Sequence, residues 1–335
     1  MPISRRQFLA TATAACAVAT PLAAQSDPWR EVVSAADRLD QFHTIRVLQR
    51  GTPVLTERLR GPALGTAVPI KSVSKTVVAA LLGTAIDRGE IAGLDATLGQ
   101  TAPRLIPGGA DPRVAGITVG DLVTLRAGLE RTSGGNYGGW VSSANWVADA
   151  LSRPVVAEPG GRMLYSTGST HVLGAVLSEV TGESLLGLAR ARLGTPLGIE
   201  IPAWTRDPQG RYLGGNEMAL SLEAMTRFGQ MYLQGGTYDG RRVLSEEWVA
   251  RSFRPVTRSQ FSGLGYGLGW FLGRSGGDDY ALARGYGGQV ILVVRSLQLV
   301  AAITSDPLRP ARSGGYFGDL MALIDDRILP AARVG

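Results

Sequence analysis

Two stretches of strand pattern sit near opposite ends of this chain, with a long helical stretch between them. Thr44 to Leu48 and Pro53 to Arg60 alternate apolar with polar residues around a turn containing Gly51, the pattern of a β-hairpin. Tyr266 to Gly273, Tyr280 to Gly285, Gln289 to Val294 and Val300 to Thr304 read as successive antiparallel strands. Between them, Thr118–Ala127, Ser143–Leu151, Thr170–Thr181, Leu185–Leu193, Ser221–Leu233 and Ser245–Arg251 carry helical patterns. Strands at both ends with helices between predict an α/β (α+β) fold: one antiparallel sheet flanked by helices, with a helical domain inserted into it. The expected division is 26–89 with 260–335 for the discontinuous α/β domain and 90–259 for the helical domain. A short helix over 28–42 leads in, and Phe317 to Ile328 closes the chain. Thr132 to Trp140, rich in glycine and aromatics, is expected to be a loop without regular structure.

The N-terminus carries a different kind of signal. Ser4-Arg5-Arg6-Gln7-Phe8-Leu9, followed by an apolar Ala/Thr-rich run to Ala24, has the pattern of a twin-arginine export signal over residues 1–25. It predicts a periplasmic or secreted protein, cleaved near Ala24 to Ser26. That run is too short and too rich in small residues for a stable transmembrane helix. No other stretch is long enough, so the mature protein is expected to be soluble. The only cysteine, Cys16, lies inside the signal, which leaves the mature chain without thiol or disulfide chemistry. His43 and His171 are the only histidines, too few for a zinc enzyme, and no metal or other cofactor is expected. Losing residues 1–25 removes Arg5 and Arg6 and no acids, so the formal charge falls from +6 to +4. The remaining arginines are scattered, with no basic run or aromatic stripe, and nucleic-acid binding is excluded.

The basic residues are nonetheless informative. Of 34, 32 are arginine; the two lysines, Lys71 and Lys75, fall in Ile70-Lys71-Ser72-Val73-Ser74-Lys75. Arginine stays protonated at any working pH, whereas a buried lysine can lose its proton. Ser72-x-x-Lys75 therefore sets a hydroxyl beside an amine able to act as a base, which activates serine without histidine. With 22 serines in 335 residues, two lysines give about 0.13 chance matches (2 × 22/335), so the motif needs partners elsewhere. Its setting is a helix from Ser72 to Arg88, ended by Gly89 and apolar or small on nearly every face, hence buried at the centre of the fold. Ser72 would stand in the first turn, where free N–H groups favour negative charge, with Lys75 on the same face. Lys71 lies just outside the helix and is expected to be solvated.

Two further segments supply partners. Tyr165-Ser166-Thr167 places a tyrosine that could serve as a base if its pKa fell from about 10 towards 7, a stabilisation of about 4 kcal/mol that a neighbouring Lys75 ammonium could largely supply. Arg284-Gly285-Tyr286-Gly287-Gly288-Gln289 enters an apolar strand through consecutive glycines, a sign of close backbone approach by a ligand.

In this order and spacing the three segments resemble the penicillin-recognising serine hydrolases. Within them the chain looks most like the class C β-lactamase-related esterases and amidases, including the 6-aminohexanoate-dimer hydrolase group. Supporting segments are Ile117-Thr-Val-Gly-Asp-Leu-Val, Leu197-Gly-Ile, Gly214-Gly-Asn-Glu-Met-Ala-Leu-Ser and Arg227-Phe-Gly-Gln-Met-Tyr-Leu. The resemblance implies a β-lactamase/transpeptidase-like fold in which Ser72 is acylated and Lys75 and Tyr165 share the proton transfers. It also implies an oxyanion hole from the backbone amides of Ser72 and Gln289, and substrate contacts from Thr167, Tyr286, Gly287 and Gly288. The loop from Tyr137 to Trp146 would cover the cleft, with Tyr137, Trp140 or Trp146 against a small-molecule ester or amide.

The chain departs from that pattern twice. Thr167 stands where the second motif usually ends in asparagine. Tyr286-Gly287-Gly288 replaces the Lys-Thr-Gly of β-lactamases and cell-wall peptidases, whose lysine helps bind a substrate carboxylate. Carboxylate recognition should be weaker unless Arg284 takes it over. The expectation is therefore an esterase or amidase, ahead of a β-lactamase or D-alanyl-D-alanine carboxypeptidase, a non-catalytic binding protein, or a triad using His171.

Overall fold

The computed structural model describes residues 27–334. The export-signal pattern and Cys16 lie outside the described residues. Helix α1 (Pro28–Asp37) starts at Asp27, whose carboxylate accepts from Trp29 N at 3.0 Å, with Pro28 preset for the first turn. Strands β1 (Phe42–Gln49) and β2 (Thr52–Arg58) form the hairpin. Its turn residues Arg50 and Gly51 have φ of 52° and 78°, the geometry a two-residue hairpin loop demands.

The principal helices that follow are α2 (Ser74–Asp87), α3 (Thr167–Thr181) and α4 (Leu222–Leu233). Shorter pieces lie between them. Val119–Val123 and Trp146–Leu151 are briefer than their sequence patterns, whereas the helix that starts at Leu185 continues through a π turn, Arg190–Gly194, to Leu197. The glycine-rich segment expected to lack structure instead winds into Gly134–Asn136 and a helix at Tyr137–Val141. Trp140 drives this: it is fully buried, its ring centroid 5.4 Å from that of Trp146, and it donates its indole N–H to the Trp146 carbonyl at 2.8 Å.

The remaining strands of the main sheet are β3 (Thr257–Arg258), β4 (Gly265–Tyr266), β5 (Phe271–Ser275), β6 (Asp278–Gly285), β7 (Gln289–Val294) and β8 (Leu299–Ser305). With the hairpin they form one antiparallel eight-stranded sheet in the order β2-β1-β8-β7-β6-β5-β4-β3. The two ends of the chain meet where β1 pairs with β8, Val47 opposite Ala301. The single strand read over Tyr266 to Gly273 is two, broken by a turn at Gly269 (φ 81°), where a Cβ would sit 2.6 Å from that of Ala79 on α2. Helix α5 (Tyr316–Leu323) opens the closing helical stretch.

Helices cover both faces of this sheet. Along β7, Val290, Leu292 and Val294 face a core shared with α1 and the C-terminal helices, while Ile291 and Val293 face the core shared with α2 and α4. That explains why β7 and β8 read as unbroken apolar runs. Helix α2 lies inside the second core, buried from Ser74 to Ala85. It fits because small residues occupy its tightest contacts: a Cβ on Gly83 would come within 2.6 Å of the Trp248 ring. Gly83→Val should therefore overpack this contact and lower stability by about 1–3 kcal/mol, read from the urea unfolding midpoint; an unchanged midpoint would mean the contact is slack.

Candidate active site

The site is assembled where the start of α2 meets three other segments. Val68 and Pro69 pair with Leu220 and Ala219, and Ile70 N donates to the Met218 carbonyl at 2.8 Å. These bonds pin the approach to a tight turn, Lys71–Val73, which runs into α2. Ser72 thus sits in a 3₁₀ turn ahead of the helix and not in its first α turn. Lys71 has φ of 51°, a left-handed conformation that side chains other than glycine seldom adopt. Ser74 holds the bend by donating its hydroxyl to the Lys71 carbonyl at 2.6 Å.

Lys75, one helical turn in, reaches back to Ser72. Its Nζ lies 3.0 Å from Ser72 Oγ, 3.2 Å from Thr167 Oγ1 and 2.7 Å from the Gly215 carbonyl. The side chain is 3 % exposed. No carboxylate pairs with it among the described residues, and burial alone brings its pKa down from 10.5 to about 7. Tyr165 covers the other side, its ring centroid 5.0 Å from Nζ and stacked on Phe271 at 6.3 Å. Burial pushes the phenol up from its usual value, against a hydrogen bond from Ser72 and the charge of Arg284. The sequence expectation of a phenol falling towards 7 is thus reversed: the group that arrives there is Lys75.

Thr167 keeps a hydroxyl on Lys75, and Ser133 holds Thr167 in place. Ser133 Oγ accepts from Thr167 N at 2.9 Å and lies 3.0 Å from its Oγ1. Sequence reasoning missed Ser133, because it belongs to the segment read as an irregular loop. It also gave no role to Gly214-Gly215-Asn216-Glu217, where the double glycine was the available signal. Gly215 (φ 86°) comes so close that a Cβ would meet Lys75 Cγ at 3.2 Å. Asn216 donates to the Tyr137 hydroxyl at 2.8 Å, and Glu217 pairs with Lys71 at 2.9 Å. Lys71 is therefore bound in an ion pair and is not merely solvated.

A cavity of about 790 Å³ opens above Ser72. Tyr137, Thr167 and Asn216 line its helical side, and Phe271, Arg284 and Tyr286 its sheet side. Exposed Phe261 and Leu308 stand at its rim. The third segment is placed differently from the sequence expectation. Gly285 is the glycine of close approach: a Cβ there would collide with the Ile70 carbonyl and sit 3.2 Å from Lys71 Cβ. Gly287 and Gly288, with φ of 81° and 99°, make the tight turn between β6 and β7 and pack against Asp306, Pro307 and Tyr316, outside the cavity lining. Gln289 is fully buried, its side chain donating to the Ser305 carbonyl at 2.7 Å and accepting from Ser305 N at 3.2 Å. Of the aromatic trio, Tyr137 alone lines the cavity; Trp140 and Trp146 are core residues.

His171 is also committed elsewhere. Gly214 N donates to its Nδ1 at 3.2 Å, so its Nε2–H donates to Asp207 at 3.1 Å, and both side chains are fully buried. Burial lowers its pKa, opposed by Asp207.

A two-sided antiparallel sheet with a serine–lysine pair at the head of a buried central helix defines the β-lactamase/transpeptidase class of serine hydrolases. The chain belongs to the Beta-lactamase family, whose model matches residues 35–325. Penicillin-binding protein 4 of Amycolatopsis lactamdurans is 27 % identical over 267 residues, 68 % of this chain; the match spans 66 % of that relative's length. Two solved structures share the fold. A Bacillus anthracis protein assigned as a 6-aminohexanoate-dimer hydrolase superposes with a TM-score of 0.74 at 16 % identity, covering 90 % of this chain and 81 % of that one. EstCE1, a hydrolase with promiscuous acyltransferase activity, gives 0.75 at 16 % identity, covering 89 % and 98 %. Among the described residues no single helix is long and apolar enough to cross a membrane.

The geometry makes His171 a structural residue. His171→Ala should lower the unfolding midpoint, because it takes the Nε2–H donor from a buried Asp207 oxygen and leaves that oxygen only the 3.9 Å approach of Arg211, at a cost of about 1–3 kcal/mol. Covalent labelling of Ser72 by a fluorophosphonate, per folded molecule, should be unchanged; loss of labelling in folded protein would restore a histidine to the chemistry.

Proposed function

We propose that the protein is an exported serine hydrolase that cleaves an ester or amide bond through an acyl-enzyme on Ser72. The observation that carries this reading is the 3.0 Å approach of Ser72 Oγ to a buried amine whose pKa falls to about 7. A neutral amine has two N–H bonds and one lone pair. The Gly215 carbonyl can only accept, and the Thr167 hydroxyl accepts the second N–H, so the lone pair is left facing Ser72. Lys75 takes the proton as Oγ attacks the substrate carbonyl carbon. Tyr165, kept a neutral phenol by burial, passes a proton to the leaving alcohol or amine. Water then attacks the acyl carbon, the same two groups working in reverse.

For the tetrahedral oxyanion the reading pairs the Ser72 amide with that of Tyr286, in place of Gln289. Tyr286 follows the close-packed Gly285 and lines the cavity; each such donor is worth about 3–4 kcal/mol in the transition state. Export by the twin-arginine route remains part of the proposal, on the pattern from Ser4 to Ala24.

The cavity also points to the substrate. Arg284 lines it, with its guanidinium 3.6 Å from the Phe317 ring centroid and 5.5 Å from that of Phe271, and no carboxylate pairs with it among the described residues. With exposed Phe261 and Leu308 at the rim, this supports a partly apolar substrate that carries a carboxylate. The same arginine favours the second reading, a β-lactamase or D-alanyl peptidase, which nitrocefin turnover or release of D-alanine would establish.

Purified mature protein should take a fluorophosphonate label at Ser72 and hydrolyse p-nitrophenyl acetate, and Ser72→Ala should abolish both. Below pH 7 Lys75 is an ammonium without a lone pair, and above it a free base. The kcat/KM profile should therefore rise with pH through about 7; a flat profile between pH 5 and 8 would remove Lys75 as the base. Arg284→Ala should raise KM for an acid-bearing ester by about 10-fold or more, the worth of a charged hydrogen bond, and leave a neutral ester of the same size nearly unaffected. Equal effects on both esters would sink the carboxylate assignment.

A further inference from the structure

Lys71 and Glu217 lie in different segments, both line the cavity, and their side chains meet at 2.9 Å with 14 % and 28 % exposure. Both have backbones in the left-handed region, at φ of 51° and 63°. For residues other than glycine this conformation is uncommon and costs conformational energy, and it persists only where the surroundings impose it. Two such residues locked to each other beside a nucleophile are hard to explain as surface charge.

Their neighbours indicate what the pair controls. Lys71 directly precedes Ser72. Glu217 is two residues beyond Gly215, whose carbonyl accepts a hydrogen bond from Lys75 Nζ at 2.7 Å, and one beyond Asn216, which donates to Tyr137. The same two segments are tied behind the cavity by Ile70 N to the Met218 carbonyl and by Met218 N to Ser74 Oγ at 3.3 Å. The backbone bonds fix the inner side of the junction, and the ion pair closes its outer, cavity-facing side. Sliding one segment against the other would change the Lys75–Gly215 distance, and with it the direction in which Nζ is held towards Ser72.

We propose that Lys71 and Glu217 form a positioning pair that holds the strained nucleophile turn against the Gly214–Met218 segment, and so sets Ser72, its amide and Lys75 in register for acylation. The pair touches no reacting atom; it acts through Ser72 and Gly215. This rests on the reading of Ser72 as nucleophile.

The test uses the full mature protein with four variants: Lys71→Met, Glu217→Gln, the double variant, and Lys71→Gly. Readouts are the rate of fluorophosphonate labelling at Ser72, kcat and KM for p-nitrophenyl acetate, and the thermal unfolding midpoint. Each single variant should lose about tenfold in labelling rate and kcat with KM little changed, the scale of a small misplacement of catalytic groups. The double variant should be no worse than either single one, because the two side chains act as a unit. Lys71→Gly removes both the charge and the side chain that strains the turn, so it should lose labelling while its unfolding midpoint holds. Multiplying losses in the double variant, a change confined to KM, or a midpoint that falls in step with labelling in Lys71→Gly would each overturn the proposal. Unchanged rates in all four variants would do so too, with wild type still labelling. A folded wild type that takes no label would instead overturn the nucleophile reading, and this one with it.

Discussion

The desolvation of one amine organises the molecule. Lys75 stands in a helix buried along most of its length, and among the described residues no acid pairs with it. Its own contacts, Ser72, Thr167 and the Gly215 carbonyl, are neutral oxygens. An acid in any of these places would restore the ammonium and remove the lone pair. The surrounding architecture can be understood as a way of delivering neutral acceptors to a buried point. The N-terminus of α3 brings Thr167, with Ser133 behind it, and a positive-φ glycine brings a bare carbonyl. Tyr165 and Phe271 close the remaining side with aromatic surface.

That arrangement needs α2 to be central, which in turn needs the sheet. Helix α2 packs into the core on one face of a sheet whose other face is sealed by α1 and the C-terminal helices. The end of β6 then abuts the Lys71–Val73 turn, with only a glycine, Gly285, small enough for the contact. Because β1 pairs with β8, the sheet closes only when both ends of the chain are present, so the site depends on contacts of large sequence separation. The Ser72–Lys75 spacing is local, but its burial is not.

What could be read in the sequence divides along the same line. The hairpin, β7, β8 and α4 were legible because period-2, unbroken apolar and helical patterns each report local burial. So was the Ser72–Lys75 pair, since lysine is so scarce in this chain. The Tyr137–Val141 helix was not, because its stability comes from Trp140 entering a cluster with Trp146 and His171, while its glycines signal a loop. Ser133 and the Gly215 carbonyl were not legible either: one is an ordinary serine and the other a backbone atom, and their roles arise only where α3 and the Gly214–Met218 segment converge on Lys75. The placing of Gly287 and Gly288 outside the cavity lining has a similar cause. Three glycines lie within four residues, from Gly285 to Gly288, and the sequence does not tell which faces a ligand and which makes the turn. The structure separates them by what a Cβ would strike: Ile70 and Lys71 at Gly285, the segment around Asp306 and Tyr316 at Gly287 and Gly288.

The chain's preference for arginine then takes on a chemical meaning. On the proposed reading, lysine is kept where the charge must be removable, at Lys75; at Lys71 a compact ammonium meets one carboxylate. Arg284, by contrast, carries a charge that burial depresses but does not remove. It acts on Tyr165, pulling its phenol towards ionisation against the effect of burial. On the proposed reading, a substrate carboxylate seated on Arg284 would neutralise that pull. The phenol would then be held more firmly as a proton donor once the substrate is in place. A neutral cavity wall at this position would give the carboxylate no partner, and a lysine could lose its charge by shedding its own proton.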